Sequence, residues 1–146
     1  MPPFRFRLEQ VRMYRKQLEE QAMQALAKAV MQRDEIRERI AALEKSMSAL
    51  RDALCRPESL TAAERWLTQG YLGAQKLDHQ AARKALHQAE LHVDACRVDL
   101  VQKAKDRGLL DTLKEKQADR HLTLERQQEQ KTNDETATLR YKPAAF

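Results

Sequence analysis

Arg56-Pro57-Glu58-Ser59-Leu60-Thr61 is the stretch whose reading decides the fold. Pro57 is the only proline between Pro3 and Pro143. Proline has no backbone donor and clashes with the preceding turn, so a helix stops just before it. A new start follows at once. Thr61-Ala62-Ala63-Glu64 fits a capping box, in which the Thr61 hydroxyl accepts from the Glu64 amide and Glu64 reaches back. A stop followed directly by a start predicts a tight reversal. The remainder then reads as two antiparallel helices: helix one over about 5–55, a turn at 56–61, helix two over about 61–138, and a loose tail at 139–146.

Working back from the turn, Ile36, Ile40, Leu43, Met47, Leu50 and Leu54 recur at the alternating four-and-three spacing of a coiled-coil seam. Leu8, Val11, Leu18, Ala22, Ala25 and Ala29 continue it more weakly, with Arg15 and Gln32 at seam positions. Small alanines bury little area, so packing should be firm near the turn and looser toward the termini. Residues 1–4 read as loose. Forward from the turn, Trp66, Leu67, Tyr71, Ala74, Leu77 and Ala81 lie on or near one face. Leu86, Ala89, Val93, Cys96 and Leu100 follow in a second phase, with a one-residue slip near 82–85. Gly70 and Gly73 read as tolerated weakness, a close helix contact, or a bend at a docking site. Beyond Leu124 the seam vanishes. Helix two should overhang helix one by about 30 Å or more, at a rise of about 1.5 Å per residue.

Composition agrees. The 146 residues are 34% charged and 5% aromatic, with 3 Gly and 4 Pro. Such a chain reads as coiled coil and as one domain, with a seam for a core and no pocket for a cofactor. The charge is uneven. Residues 1–60 carry 12 Lys/Arg against 9 Asp/Glu, 61–100 carry 5 of each, and 101–146 carry 10 against 8. Folding the hairpin brings two basic ends together, which suits an acidic protein, nucleic acid or an anionic membrane.

No stretch reads as a signal peptide or a membrane span, so the expected location is cytoplasmic and reducing. Cys55 and Cys96 would sit roughly 50 Å apart, beyond disulfide reach. No catalytic pattern stands out. The closest histidines, His87 and His92, are five apart and face different sides of a helix, so no metal site is expected. No glycine-rich phosphate loop is present. The carboxylates have Lys or Arg at helical spacing, as Glu35 has Arg39, and read as a solvated face. An enzyme is not expected, nor a cofactor, nor a small-molecule substrate.

Two stretches read as interaction signals. Phe4-Arg5-Phe6-Arg7-Leu8-Glu9-Gln10-Val11-Arg12-Met13-Tyr14-Arg15 mixes aromatics with arginine, residue types that favour interfaces. It reads equally as a helix start whose Phe4 or Phe6 packs on helix two. Trp66, Tyr71 and Leu72 cluster after the turn. A thin hairpin cannot seat all three in its seam, so at least one should be exposed, as docking surface or as simple packing.

Taken together the two ends resemble the flagellar export protein FliJ family. The N-terminal resemblance runs Phe4-Arg5-Phe6-Arg7-Leu8-Glu9-Gln10-Val11, then Tyr14-Arg15 and Glu19-Glu20. The C-terminal one runs Leu110-Asp111-Thr112-Leu113-Lys114-Glu115-Lys116, then Glu125-Arg126, Asp134-Glu135 and Leu139-Arg140-Tyr141. Gly108 and Thr132-Asn133 are less helix-friendly than the family's charged run. The resemblance implies an all-α, long antiparallel two-helix coiled coil, similar to the central stalk of rotary ATPases. It implies a cytoplasmic component of the flagellar type III export apparatus, peripheral to the inner membrane at the basal body. The implied partners are a hexameric export ATPase, a membrane export-gate protein and export chaperones. Arg5, Arg7, Arg12, Lys114, Lys116 and Arg140 are assigned to the ATPase ring, and Trp66, Tyr71 and Leu72 to the gate.

Other readings stay open at this point. One is the equivalent stalk of a virulence type III secretion system. Another is a basic scaffold binding nucleic acid, against which acidic residues are interleaved through both ends. A third, a peripheral membrane helix, needs an apolar face that the seam already uses.

Overall fold

The computed structural model describes residues 1–56, 58–141 and 143. Two helices pack antiparallel against each other: α1, Glu9–Cys55, and α2, Ala62–Arg140. No strand occurs among the described residues. The chain divides into a turn unit, Glu20–Val101, and a terminal unit, Met1–Glu19 with Gln102–Phe146.

The reversal in the turn unit follows the expected chemistry. Pro57, which carried the reading of the stop, lies outside the described residues, as do Lys142 and 144–146 of the expected tail. α1 nevertheless ends at Cys55. Its last carbonyls would be orphaned. The Ser59 hydroxyl donates to Ala53 O at 3.3 Å, and Arg65 Nη1 donates to Leu54 O at 2.8 Å. The capping box opens α2 as expected. Glu64 N donates to Thr61 Oγ1, and Thr61 N donates to Glu64 Oε2, each at 3.2 Å.

Along the turn unit the seam of α1 is Ala22, Leu26, Ala29, Arg33, Ile36, Ile40, Leu43, Met47, Leu50 and Leu54, all buried or half-buried. Leu26 and Arg33 take the places expected of Ala25 and Gln32, which are exposed. The facing seam of α2 is Thr68, Leu72, Gln75, His79, Ala82, Leu86, Ala89, Val93, Cys96 and Leu100, in unbroken alternating steps of three and four. The expected slip near 82–85 does not occur. Trp66, Leu67, Tyr71, Ala74, Leu77 and Ala81 are exposed, not in the seam. The reason is rigidity: Val93, 1% exposed, is locked against α1, and one continuous helix carries that phase back to the turn. The seam accepts polar residues as a consequence. His79 Nε2 meets Glu44 Oε1 at 3.0 Å, and Gln75 Nε2 donates to Ser46 Oγ at 2.9 Å.

In the terminal unit the chain is not helical before Glu9: residues 1–6 run alongside α2, and a turn at 7–8, in which Glu9 N donates to Phe6 O at 3.2 Å, leads into α1. Helix one therefore starts later than expected, and residues 1–4 are held in place. The Phe4 ring lies 5.7 Å from the His121 ring, His121 Nε2 is 3.1 Å from Pro2 O, and Phe6 is buried. Extended backbone advances about 3.3 Å per residue against about 1.5 Å for helix. A short extended segment therefore accompanies a long run of α2, and Met1 reaches the surface of Glu125, Glu129 and Asn133. Much of the expected overhang is accompanied in this way. Phe6 is the one buried side chain described in this unit.

Candidate functional site

The non-helical start explains the mixture of aromatics and arginine. Alternate residues of an extended segment face opposite sides. Phe4 and Phe6 turn onto α2, and Arg5 and Arg7 are exposed. The packing of Phe4 and Phe6 is as one reading expected, ahead of α1 rather than within it, and Arg5 and Arg7 remain at the surface.

Behind it the seam of the terminal unit is built from charge. Arg12 Nε donates to Asp111 Oδ1 at 2.6 Å, and Arg12 Nη1 donates to Glu9 Oε1 at 2.9 Å. Arg107 bridges Asp111 and Glu19. Lys114 Nζ lies 3.0 Å from Glu9 Oε2, and Arg15 Nη1 lies 3.5 Å from Asp106 Oδ2. Contact with Lys114 holds the Glu9 carboxyl below its ordinary range, and the Arg12 hydrogen bond does the same for Asp111. The matching guanidiniums are held more firmly charged, Arg12 by Asp111 and Arg107 by Glu19. Val11, expected in this seam, is 43% exposed because Arg12 takes the inward position.

The six cations assigned to one partner therefore divide. Arg12 and Lys114 are engaged within the seam. Arg5, Arg7, Lys116 and Arg140 are exposed, and none joins an ion pair among the described residues. Sequence spacing missed Arg107, Asp111 and Glu19 as seam members. Their signal was present: Glu19 stands seven residues after Arg12, Arg107 stands seven before Lys114, and Asp111 follows Arg107 by four, the spacing of an ion pair on one helix.

The aromatic cluster in the turn unit divides likewise. Trp66 is 73% and Tyr71 66% exposed, and both line a shallow surface with Leu67, Gly70 and Ala74. Leu72, grouped with them from the sequence, is 9% exposed and belongs to the seam. A docking role for Leu72 is withdrawn on that ground. Gly70 and Gly73 are helical, and nothing lies within 4 Å of a Cβ placed on either, so no close helix contact explains them.

Among the described residues no group of three His, Cys, Asp or Glu could hold a metal ion, and no helix is long and apolar enough to cross a membrane. The one surface is cationic and the other aromatic. The sequence profile of the family described as Flagellar FliJ protein matches residues 4–145. No curated protein and no solved structure matches the chain.

Proposed function

The chain belongs to the flagellar FliJ protein family and so is a component of the flagellar protein-export apparatus, and from that premise we propose that it is a non-catalytic coiled coil that binds the hexameric export ATPase and promotes its assembly and activity. The supporting observation is the division of charge in the terminal unit. Arg12, Arg15, Arg107 and Lys114 are paired with carboxylates in the seam, and Arg5, Arg7, Lys116 and Arg140 are left for a partner. Exposed arginines on an ordered segment suit an acidic protein surface, because little rotamer and backbone freedom remains to be lost on docking.

The turn unit contributes a second docking surface through Trp66 and Tyr71, which we assign to the membrane export-gate protein. Exposed aromatics are the residue types that anchor protein interfaces. Export chaperones complete the set of partners. On this reading the protein meets the inner membrane only through its partners.

The decisive experiment is ATP hydrolysis by the cognate export ATPase, with and without the chain, at concentrations where the ATPase is partly monomeric. A higher rate together with hexamer formation is expected, and Arg5→Glu/Arg7→Glu should remove it while helical content stays constant. An unchanged rate with folded protein would sink the ATPase role.

A further inference from the structure

We infer that the outer face of α2 in the turn unit is a self-association surface, on which α2 of a second copy of this chain lies parallel. The apolar stripe that is out of phase with the seam does not stop at Ala81. Ala63, Gly70, Leu77, Leu91 and Val98 recur on a seven-residue frame, and Trp66, Leu67, Ala74 and Ala95 stand beside them. All are exposed, Leu77 at 67% and Val98 at 71%. The seam positions lie on the opposite side of the same helix. A sustained heptad is the period of a helix that meets another helix. From Ala63 to Val98 the stripe runs about 50 Å, at a rise of about 1.5 Å per residue.

Charge selects the occupant and its direction. One edge of the stripe carries Glu64, Asp78 and Asp99, and the other carries Lys76, Arg83 and Arg97 together with Glu90, which Arg37 of α1 holds at 3.4 Å. Among the described residues Lys76, Arg83, Asp78 and Asp99 join no ion pair, and Arg97 reaches only Asp94, at 3.6 Å. In a parallel pair the acidic edge of each helix faces the basic edge of the other. Lys76 then stands beside the second copy's Asp78, and Arg97 beside its Asp99, each pair formed twice by symmetry. An antiparallel pair sets Arg83 against its equivalent and brings Glu64 near the second copy's Asp99, repulsions that the Lys76–Glu90 contacts of the same register only partly offset. A second copy laid parallel meets both edges with no further sequence requirement. Lys84 is the one charge on the central frame, and it faces its own equivalent, which weakens the dimer and favours exchange with other partners. The same stripe contains Trp66, so a second copy and a gate protein are alternative occupants.

The test is sedimentation equilibrium on the full chain alone, up to about 100 μM, with circular dichroism to verify folding. The wild type should reach the dimer mass, and Lys84→Leu should reach it at lower concentration. Asp78→Lys/Asp99→Lys and Lys76→Glu/Arg97→Glu should each be monomeric, and their equimolar mixture should dimerise. Leu77→Cys in a Cys55→Ser/Cys96→Ser background should oxidise to a disulfide-linked dimer. A wild type that stays monomeric, or a mixture that does, overturns the proposal. Dimers that give no Leu77→Cys disulfide overturn the parallel arrangement. Neither the ATPase nor the gate is present, so the outcome is independent of the proposed function.

Discussion

Arg12 Nε donates to Asp111 Oδ1 at 2.6 Å, joining residues 99 apart in the chain. This bond and its neighbours hold α1 to α2 in a unit whose described residues include a single buried side chain, Phe6. Hydrophobic burial is too slight there to set the register, so charge sets it. Arg12→Ala leaves Asp111 with Arg107 alone and releases one edge of the network. Hydrogen exchange should quicken across the terminal unit and stay unchanged around Val93. Equal protection in both units, before and after the substitution, would make the network ornamental.

Acid should act on the same contacts. Glu9 and Asp111 are held below their ordinary range by Lys114 and Arg12. Groups with a lowered folded pKa stabilise fully above the unfolded value, about 4 for a carboxylate, and lose that contribution as pH falls through the folded value. Thermal melts should therefore be flat from neutral pH to about 4 and decline below it. Glu9→Gln/Asp111→Asn should start less stable and decline less steeply. Added salt should imitate part of the effect, since the network is partly exposed.

Two apolar residues of α2 should behave oppositely. Val93 is 1% exposed and Trp66 73%. Val93→Ala deletes buried methyl groups and should cost about 2 kcal/mol in denaturant unfolding. Trp66→Ala should change stability by no more than about 0.5 kcal/mol in dilute solution, while weakening capture of the export-gate protein in a binding assay. A large stability loss from Trp66→Ala would place it in the core and remove it from any interface.

Glycine in a helix interior is a weakness without a local reason here. Nothing lies within 4 Å of a Cβ at Gly73 or Gly108, and neither has a positive φ. Gly73→Ala and Gly108→Ala should each raise stability by about 0.5–1 kcal/mol, read as a shift of the unfolding midpoint at constant slope. A loss at either position would reveal a contact that α2 makes only with a partner or a second copy.

Gln75 is a polar residue at a seam position. Its amide donates to Ser46, but its Oε1 is buried without a partner among the described residues. Gln75→Leu removes that unsatisfied acceptor and leaves a half-exposed hydroxyl that water reaches. The variant should be more stable by about 1 kcal/mol. If it is less stable, the Ser46 bond outweighs the orphaned oxygen.

The gap between reading and structure is instructive at Leu72 and Leu77. Both are leucines on one stretch of α2, and local spacing favoured the stripe of Trp66, Tyr71 and Leu77 as the seam. That stripe is genuinely apolar, so periodicity alone had two faces to choose from. The firmly periodic run from Ile36 to Leu54 on α1 offers no such ambiguity, and it forms the seam. The charged seam was harder still: a search for apolar residues passes over Arg12, Glu19 and Arg107.

By itself, the sequence determined the helical hairpin, the capped reversal at Thr61, the turn-proximal seam of α1 and the family. These rest on local chemistry, namely proline sterics, side-chain capping and a strong heptad, which act within a few residues. Only the tertiary structure decided which face of α2 meets α1, that Phe4 and Phe6 strap a non-helical start onto α2, and which cations stay exposed. Those are decided by rigidity and pairing over distance. One continuous helix imposes the phase of Val93 on Leu72, and a carboxylate at Asp111 claims Arg12 from across the hairpin.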